Sequence, residues 1–272
     1  MSRTLRACRS LFAIRVAENL QYRAAGIANS SISIIWSILQ IVIFTVFFTF
    51  GDTVGAAMTL RQAITYAWFT QILWGFVGFL TLDSEIREKV ISGNVALDLC
   101  RPLDLYAHWY AKTIANRVGR AAWRAAFTLV AAVIVPGAIR LSPPYSIGGF
   151  LLFLVSICTG ALLCAAFAML MAAVRVGLTW GEGPTYMLEM AGMLLNGTYF
   201  PLVLWPDFLH RFLVFQPFAG LFDIPLRFYL GLMMPRDALW AIGLQIFWVA
   251  VFIIAGRVLL NRRITHLIVQ GG

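Results

Sequence analysis

Few side chains in this 272-residue sequence could carry chemistry. A phosphate-cradling loop needs a lysine behind two glycines in the pattern G-x-x-x-x-G-K-[ST]. The only lysines are Lys89 and Lys112, and Lys112-Thr113 lacks both glycines. The chain is therefore expected to bind no nucleotide, to hold no cofactor and to be no enzyme. His108, His210 and His266 lie far apart without ligand-spaced neighbours, so no metal site is expected. No G-x-S-x-G nucleophile elbow occurs. Four cysteines are too few and too scattered for a disulfide framework or a zinc site. One ionisable group of residues stands out. Glu182 and Glu189 are seven residues apart and share a face if the helix is regular, and Arg175 is able to pair with one of them. Two readings follow: a gate or cation-attracting vestibule at an inner mouth, or an ion pair holding two neighbouring helices together.

The elements that position these groups are set by an excess of apolar surface. Hydrophobic residues make up 61% of the chain and charged ones only 12%, with mean hydropathy +0.83. A soluble domain carries roughly 25% charged residues, so the surplus must face lipid. About 20 apolar residues span a bilayer core. Uncharged or nearly uncharged runs place span one in Ala24 to Gly51, span two in Gln62 to Leu82 and span three in Ala125 to Ile139. In the third, Arg124 and Arg140 are able to snorkel to the two interfaces. Span four begins near Ile147 and ends at Val174, span five runs from Pro184 to Leu204, and span six from Ala238 to about Leu260. This is an all-α membrane protein with six transmembrane helices, read as a single transmembrane domain over 1–272.

Six spans put both termini on one side. Sixteen of the 21 Lys and Arg residues fall on that side and five on the other, so both termini are expected in the cytoplasm. The net charge of +9 reports this orientation rather than a nucleic-acid partner. Residues 1–24 read as an interfacial helix with Leu5, Cys8, Phe12 and Val16 on one face and arginines that snorkel, against the alternative of a basic tail. Those arginines also leave no apolar window for a signal peptide. Residues 205–232 are too apolar for a solvated loop, yet Pro201, Pro206, Pro217 and Pro225 forbid one continuous helix. Broken helices in a re-entrant outer segment fit this stretch. Such a backbone must be buried in protein or line a cavity. Trp36, Trp68, Trp74, Trp205 and Trp240 suit either a pathway lining or lipid-facing packing.

The longest polar stretch, 83–104, joins spans two and three. Its first part reads as a short amphipathic helix, with Glu85 and Lys89 at i,i+4 in the favourable order. Ile86, Val90 and Leu97 supply apolar contacts, Gly93-Asn94 is a stop signal, and Arg101-Pro102 ends the next short element. A capped, charged helix of this size fits a cleft on a soluble partner. A solvated loop explains the spacing equally well.

The residues Glu85-Ile86-Arg87, Ser92-Gly93-Asn94-Val95-Ala96 and Leu99-Cys100-Arg101-Pro102-Leu103 resemble the E-I-R … G-N … L-x-R-P signature of type-2 ABC exporter permeases. Gly197-Thr198-Tyr199-Phe200-Pro201-Leu202, Leu204, Pro206 and Gln216-Pro217-Phe218 resemble that family's segment before and within its re-entrant hairpin. The resemblance implies a permease dimer of identical or paralogous subunits in a bacterial inner membrane, surrounded by lipid. Each subunit would dock on an ABC ATPase that binds ATP and Mg, and the complex would extrude a substrate. It also implies that Glu85, Ile86, Arg87, Gly93 and Asn94 form the coupling helix, with Arg101-Pro102 closing the connection to span three. Pro206 to Leu230 would cap the outer end. Small residues at Ala24-Ala25-Gly26 and Gly75-x-x-Gly78 would pack at the dimer seam. A stand-alone ion-coupled secondary transporter is the competing expectation. It calls for inverted repeats and buried coupling carboxylates, and neither stands out.

Overall fold

The computed structural model describes residues 3–21, 23–51, 56–78, 83–92, 95, 98, 104–176 and 183–264. Every regular element among them is helical. The order is α1 (Arg3–Leu20), α2 (Arg23–Phe50), α3 (Leu60–Leu73), α4 (Ser84–Ile91), α5 (Leu105–Ile134), α6 (Ile147–Arg175), α7 (Gly183–Leu195), α8 (Asp207–Phe215), α9 (Asp223–Leu230) and α10 (Ala238–Ile264). Three helical stretches among the described residues are long and apolar enough to cross a bilayer: Gly26–Phe50, Ile147–Arg175 and Pro235–Ile264.

Helices α6 and α10 pack along their lengths, and α9 lies against α6. Glycines make the second approach possible: a Cβ on Gly149 would stand 2.7 Å from the carbonyl oxygen of Phe228, and one on Gly160 would stand 2.9 Å from that of Gly220. Buried Gln245 on α10 joins three elements. Its amide nitrogen donates to the carbonyls of Gly220 (2.7 Å) and Ser156 (3.0 Å), and its oxygen accepts from the hydroxyls of Ser156 and Thr159. A second layer of α2, α3 and α5 is closed by Arg124. Its guanidinium donates to Ser33 Oγ at 2.6 Å and to Gln71 Oε1 at 3.3 Å. The expected snorkelling of Arg124 is thus corrected, because two polar acceptors inside the bundle are nearer than bulk water.

Several expected boundaries move. The helix assigned to span three starts at Leu105, twenty residues early, because its amphipathic first half finds a partner in α1. It stops at Ile134, before Pro136, and Gly137–Ile139 forms a 3-10 turn held by a bond from Trp68 Nε1 to the Ile139 carbonyl (2.8 Å). The run assigned to span five is helical only over Gly183–Leu195. It ends where Gly197 takes φ +85°, a conformation that favours glycine. Helix α3 passes into a π-turn at Trp74–Gly78. Helix α1 packs on α5, with Asn19 against Asn116 and Gly119, and Phe12 is exposed. The small residues are also used within the chain. Added methyls on Gly26 and Gly75 would meet Trp123 and Ala121 of α5.

The proline-rich segment 201–231 is built from short pieces. Pro201 and Pro206 stand at the N-caps of the Leu202–Leu204 turn and of α8, where a missing N–H costs nothing. Pro217 opens the Pro217–Gly220 turn, with Gln216 accepting from Phe218 N at 2.7 Å and donating to the Leu195 carbonyl at 2.8 Å. Fully buried Asp223 accepts from Leu202 N (3.2 Å) and pairs with Arg227 (3.4 Å).

The α6–α9 contact gives a paired test. Gly149→Ala should lower the thermal midpoint of the detergent-purified chain, by roughly 1–3 kcal/mol of overpacking. Gly148→Ala, with nothing within 4 Å of its Cβ, should not. Equal midpoints would show that this approach is not tight.

Candidate functional site

A cluster of charged side chains centres on α4. Asp83 caps its N-terminus by accepting from Glu85 N at 3.2 Å. The acidic Glu85 sits in the first turn and Lys89 in the last, both favourable to the helix dipole. The i,i+4 pairing expected between these two gives way to tertiary pairs. Glu85 is 2.6 Å from Lys112 of α5 and 3.1 Å from Arg15 of α1. Lys89 instead reaches Asp98 at 2.8 Å, and Trp109 Nε1 donates to the same carboxylate at 3.0 Å. Two partners on separate helices outweigh one neighbour a turn away, because each brings charge to a partly desolvated site.

A polar layer continues beneath. Asn116 donates to Asp83 at 2.8 Å and accepts from Asn19 of α1 at 3.2 Å, and Arg120 stands 3.9 Å from Asp83. Ile86 is 0% exposed and belongs to a buried cluster with Val95, Trp109, Met169, Ala173 and Leu260. Burying one isoleucine contributes about 1.5–3 kcal/mol. Helix α4 is thus joined to α1 and α5 through Glu85 and packs on α6. Its opposite face, Ser84, Arg87, Glu88 and Ser92, is exposed.

The expected coupling residues therefore divide. Glu85 and Ile86 face the interior of the chain, whereas Arg87 faces solvent. Gly93, Asn94, Arg101 and Pro102 lie outside the described residues. In the other expected group, Arg175 of α6 donates to Glu189 Oε1 at 2.9 Å and to Thr185 Oγ1 at 3.1 Å of α7. Both charges are buried, with side chains 9% and 2% exposed. Glu182 lies outside the described residues. Sequence reasoning missed Arg15, Lys112 and Asp98 as partners. A lysine in the polar half of α5 was the available signal for Lys112.

Electrostatics fit this geometry. Burial pushes the Glu85 carboxyl up, but the hydrogen bond and charge of Lys112, with Arg15 and Lys89, hold it below the usual 4.5. Burial holds the Lys112 ammonium below its ordinary value even with Glu85 beside it. Among the described residues no group of three His, Cys, Asp or Glu is placed to hold a metal. The arrangement ties one face of α4 to its neighbours and leaves the other exposed.

A family model, ABC-2 family transporter protein, matches residues 34–271, which includes α4, the broken outer segment and every helix from α3 onward. The chain belongs to this family. It is the membrane permease component of an ABC transporter and a multi-pass membrane protein, and membership implies an ABC ATPase partner. No curated protein matches the chain. Helix α1, which supplies Arg15 to the seat of α4 in this ABC-2 protein, precedes the matched region.

Two tests follow. A folded-state pKa below the unfolded one means that Glu85 stabilises the fold above the ordinary glutamate range and loses that contribution as pH falls through its lowered value. Glu85→Gln should lower the thermal midpoint at neutral pH by about 2–4 °C and flatten its fall in acid. An unchanged acid limb would remove Glu85 from the seat. For the buried pair, Glu189→Leu alone should cost about 3–5 kcal/mol, and adding Arg175→Met should recover most of it. A stable double variant that no longer couples ATP hydrolysis to transport would assign the pair to gating. One with intact coupling would leave it a brace.

Proposed function

We propose that this chain is the six-span permease subunit of an ATP-driven exporter, dimeric in a bacterial inner membrane with both termini in the cytoplasm. The excess of Lys and Arg on one side, sixteen against five, supports the orientation. The resemblance of 83–104 and 197–218 to exporter permeases supports the direction. In this reading α4 is the coupling helix. Its exposed face, centred on Arg87 and Glu88, enters a cleft on an ABC ATPase that binds ATP and Mg. Its buried face passes the movement to α5, α6 and α10. The Pro206 to Leu230 segment closes the outer end of the pathway.

The two-sided α4 carries the proposal. A short helix with one face seated on its neighbours and the other exposed is suited to transmit rather than to bind a small molecule. Co-purification of the tagged chain with the ATPase encoded beside it tests this. Arg87→Ala with Glu88→Ala should weaken recovery of the ATPase by about tenfold, on the scale of two charged contacts, while the permease itself still elutes as a single folded species on size exclusion. Undiminished recovery would move the contact off α4, and absence of any ATPase under mild extraction would overturn the exporter reading.

A further inference from the structure

Arginine guanidiniums match phosphate oxygens in geometry as well as charge. Two of them flank an apolar cleft at the end of the bundle where α3 begins and α5 ends. The cleft has a volume of about 830 Å³ and is walled by Leu60, Ile64, Ile134 and Val135, with Arg61 and Arg140 at its rim. Ile134 is 72% exposed. In a bilayer such a wall faces acyl chains, and snorkelling arginines at a helix end sit at headgroup level.

The rim is fixed in place. Arg61 Nε donates to Ser142 Oγ at 3.0 Å, and Ser142 N donates to Thr65 Oγ1 at 3.2 Å. Leu141 N bonds the Ala132 carbonyl at 2.9 Å, and Trp68 holds the preceding turn through Ile139. These bonds pin the backbone that carries Arg140 to both α3 and α5. With Nε on Ser142, the terminal nitrogens of Arg61 are left to point elsewhere. No carboxylate among the described residues pairs with Arg61 or Arg140. Other arginines near helix ends are matched: Arg15 by Glu18 and Glu85, Arg257 by Asp104, Arg227 by Asp223.

We infer that this cleft is a binding site for an anionic phospholipid, its phosphate held between Arg61 and Arg140 and an acyl chain lying along Leu60, Ile64, Ile134 and Val135. The wall alone would accept any lipid. Selection for an anionic headgroup comes from two cations that no carboxylate among the described residues neutralises. The inference rests on the membrane reading and not on the direction of transport, the ATPase contact or which face is outer.

Native mass spectrometry of the full chain tests it, with phosphatidylglycerol and phosphatidylcholine supplied in equal amounts. The wild-type chain should retain phosphatidylglycerol preferentially. Arg61→Gln with Arg140→Gln should reduce that retention by about tenfold while phosphatidylcholine adducts and the thermal midpoint stay unchanged. Arg211→Gln, which removes an exposed charge from α8, should behave as wild type. Equal retention by the double variant would overturn the inference. Displacement of the lipid by free glycerol phosphate at comparable concentration would overturn the lipid in favour of a soluble anion. Loss of a dimer without change in lipid retention would give the cleft to a second copy of the chain and overturn it as well.

Discussion

Hydrocarbon offers no hydrogen-bond partner, so each polar group carried into it must be satisfied by the chain itself, and unmet groups cost several kcal/mol apiece. Gln245 shows how far this constraint shapes the fold. A turn such as Pro217–Gly220 has carbonyls that no helix consumes, and Gln245 accepts the task from a neighbouring helix while Ser156 and Thr159 occupy its oxygen. Gln40 does the same for the segment after α7, donating to the Thr198 carbonyl at 2.8 Å and accepting from Thr70 at 3.0 Å. Tyr66 closes the remaining carbonyl at Gly197 with a 2.8 Å bond. The irregular outer segment is therefore possible only because α2, α3 and α10 present amides and hydroxyls at the right heights.

The same constraint acts differently at the polar end of the bundle, where water is near. There the question is how to hold a short helix firmly without making it part of a long one. Helix α4 has only eight residues, far too few to persist alone. Its stability comes from Ile86 below and from the Glu85 pairs at its start. The charges on the buried side are partly desolvated, and the lowered pKa of Glu85 shows that pairing wins over burial there. Such a seat is stiff, because compressing it would separate Glu85 from Lys112 or drive Ile86 into close-packed neighbours.

How much of this was legible in the residues depended on whether the deciding interaction was local. Composition identified a membrane-embedded helical chain, and α6 starts at Ile147, where span four was expected to begin. Prolines at 201, 206 and 217 correctly announced a broken segment, since their effect is written in their own backbone. Boundaries that depend on partners were not legible. The early start of α5 rests on α1, which lies about a hundred residues away in sequence. Hydropathy assigned Arg124 to an interface because no local signal reveals that Ser33 and Gln71 wait inside the bundle. The pairing of Glu85 failed for the same reason. Its spacing to Lys89 is a correct local rule, overridden by Arg15, seventy residues earlier, and by Lys112.

The part of the seat that precedes the matched region sharpens this argument. Arg15 and Asn19 come from α1, while Glu85, Lys112 and Asn116 lie within residues 34–271. Lys112 alone already neutralises Glu85, so Arg15 is not needed for charge balance at that carboxylate. What it adds is a third helix at the same point, held also by the Asn19–Asn116 bond one turn on. The Arg15–Glu85 pair ties α1 to α4 and the Asn19–Asn116 bond ties it to α5, so α1 is held to two elements one turn apart. Both side chains are half-buried in these contacts and lose part of their hydration there. Helix α1 is thus packed onto this end of the bundle, with its outward residues, Phe12 and Ile14 among them, exposed.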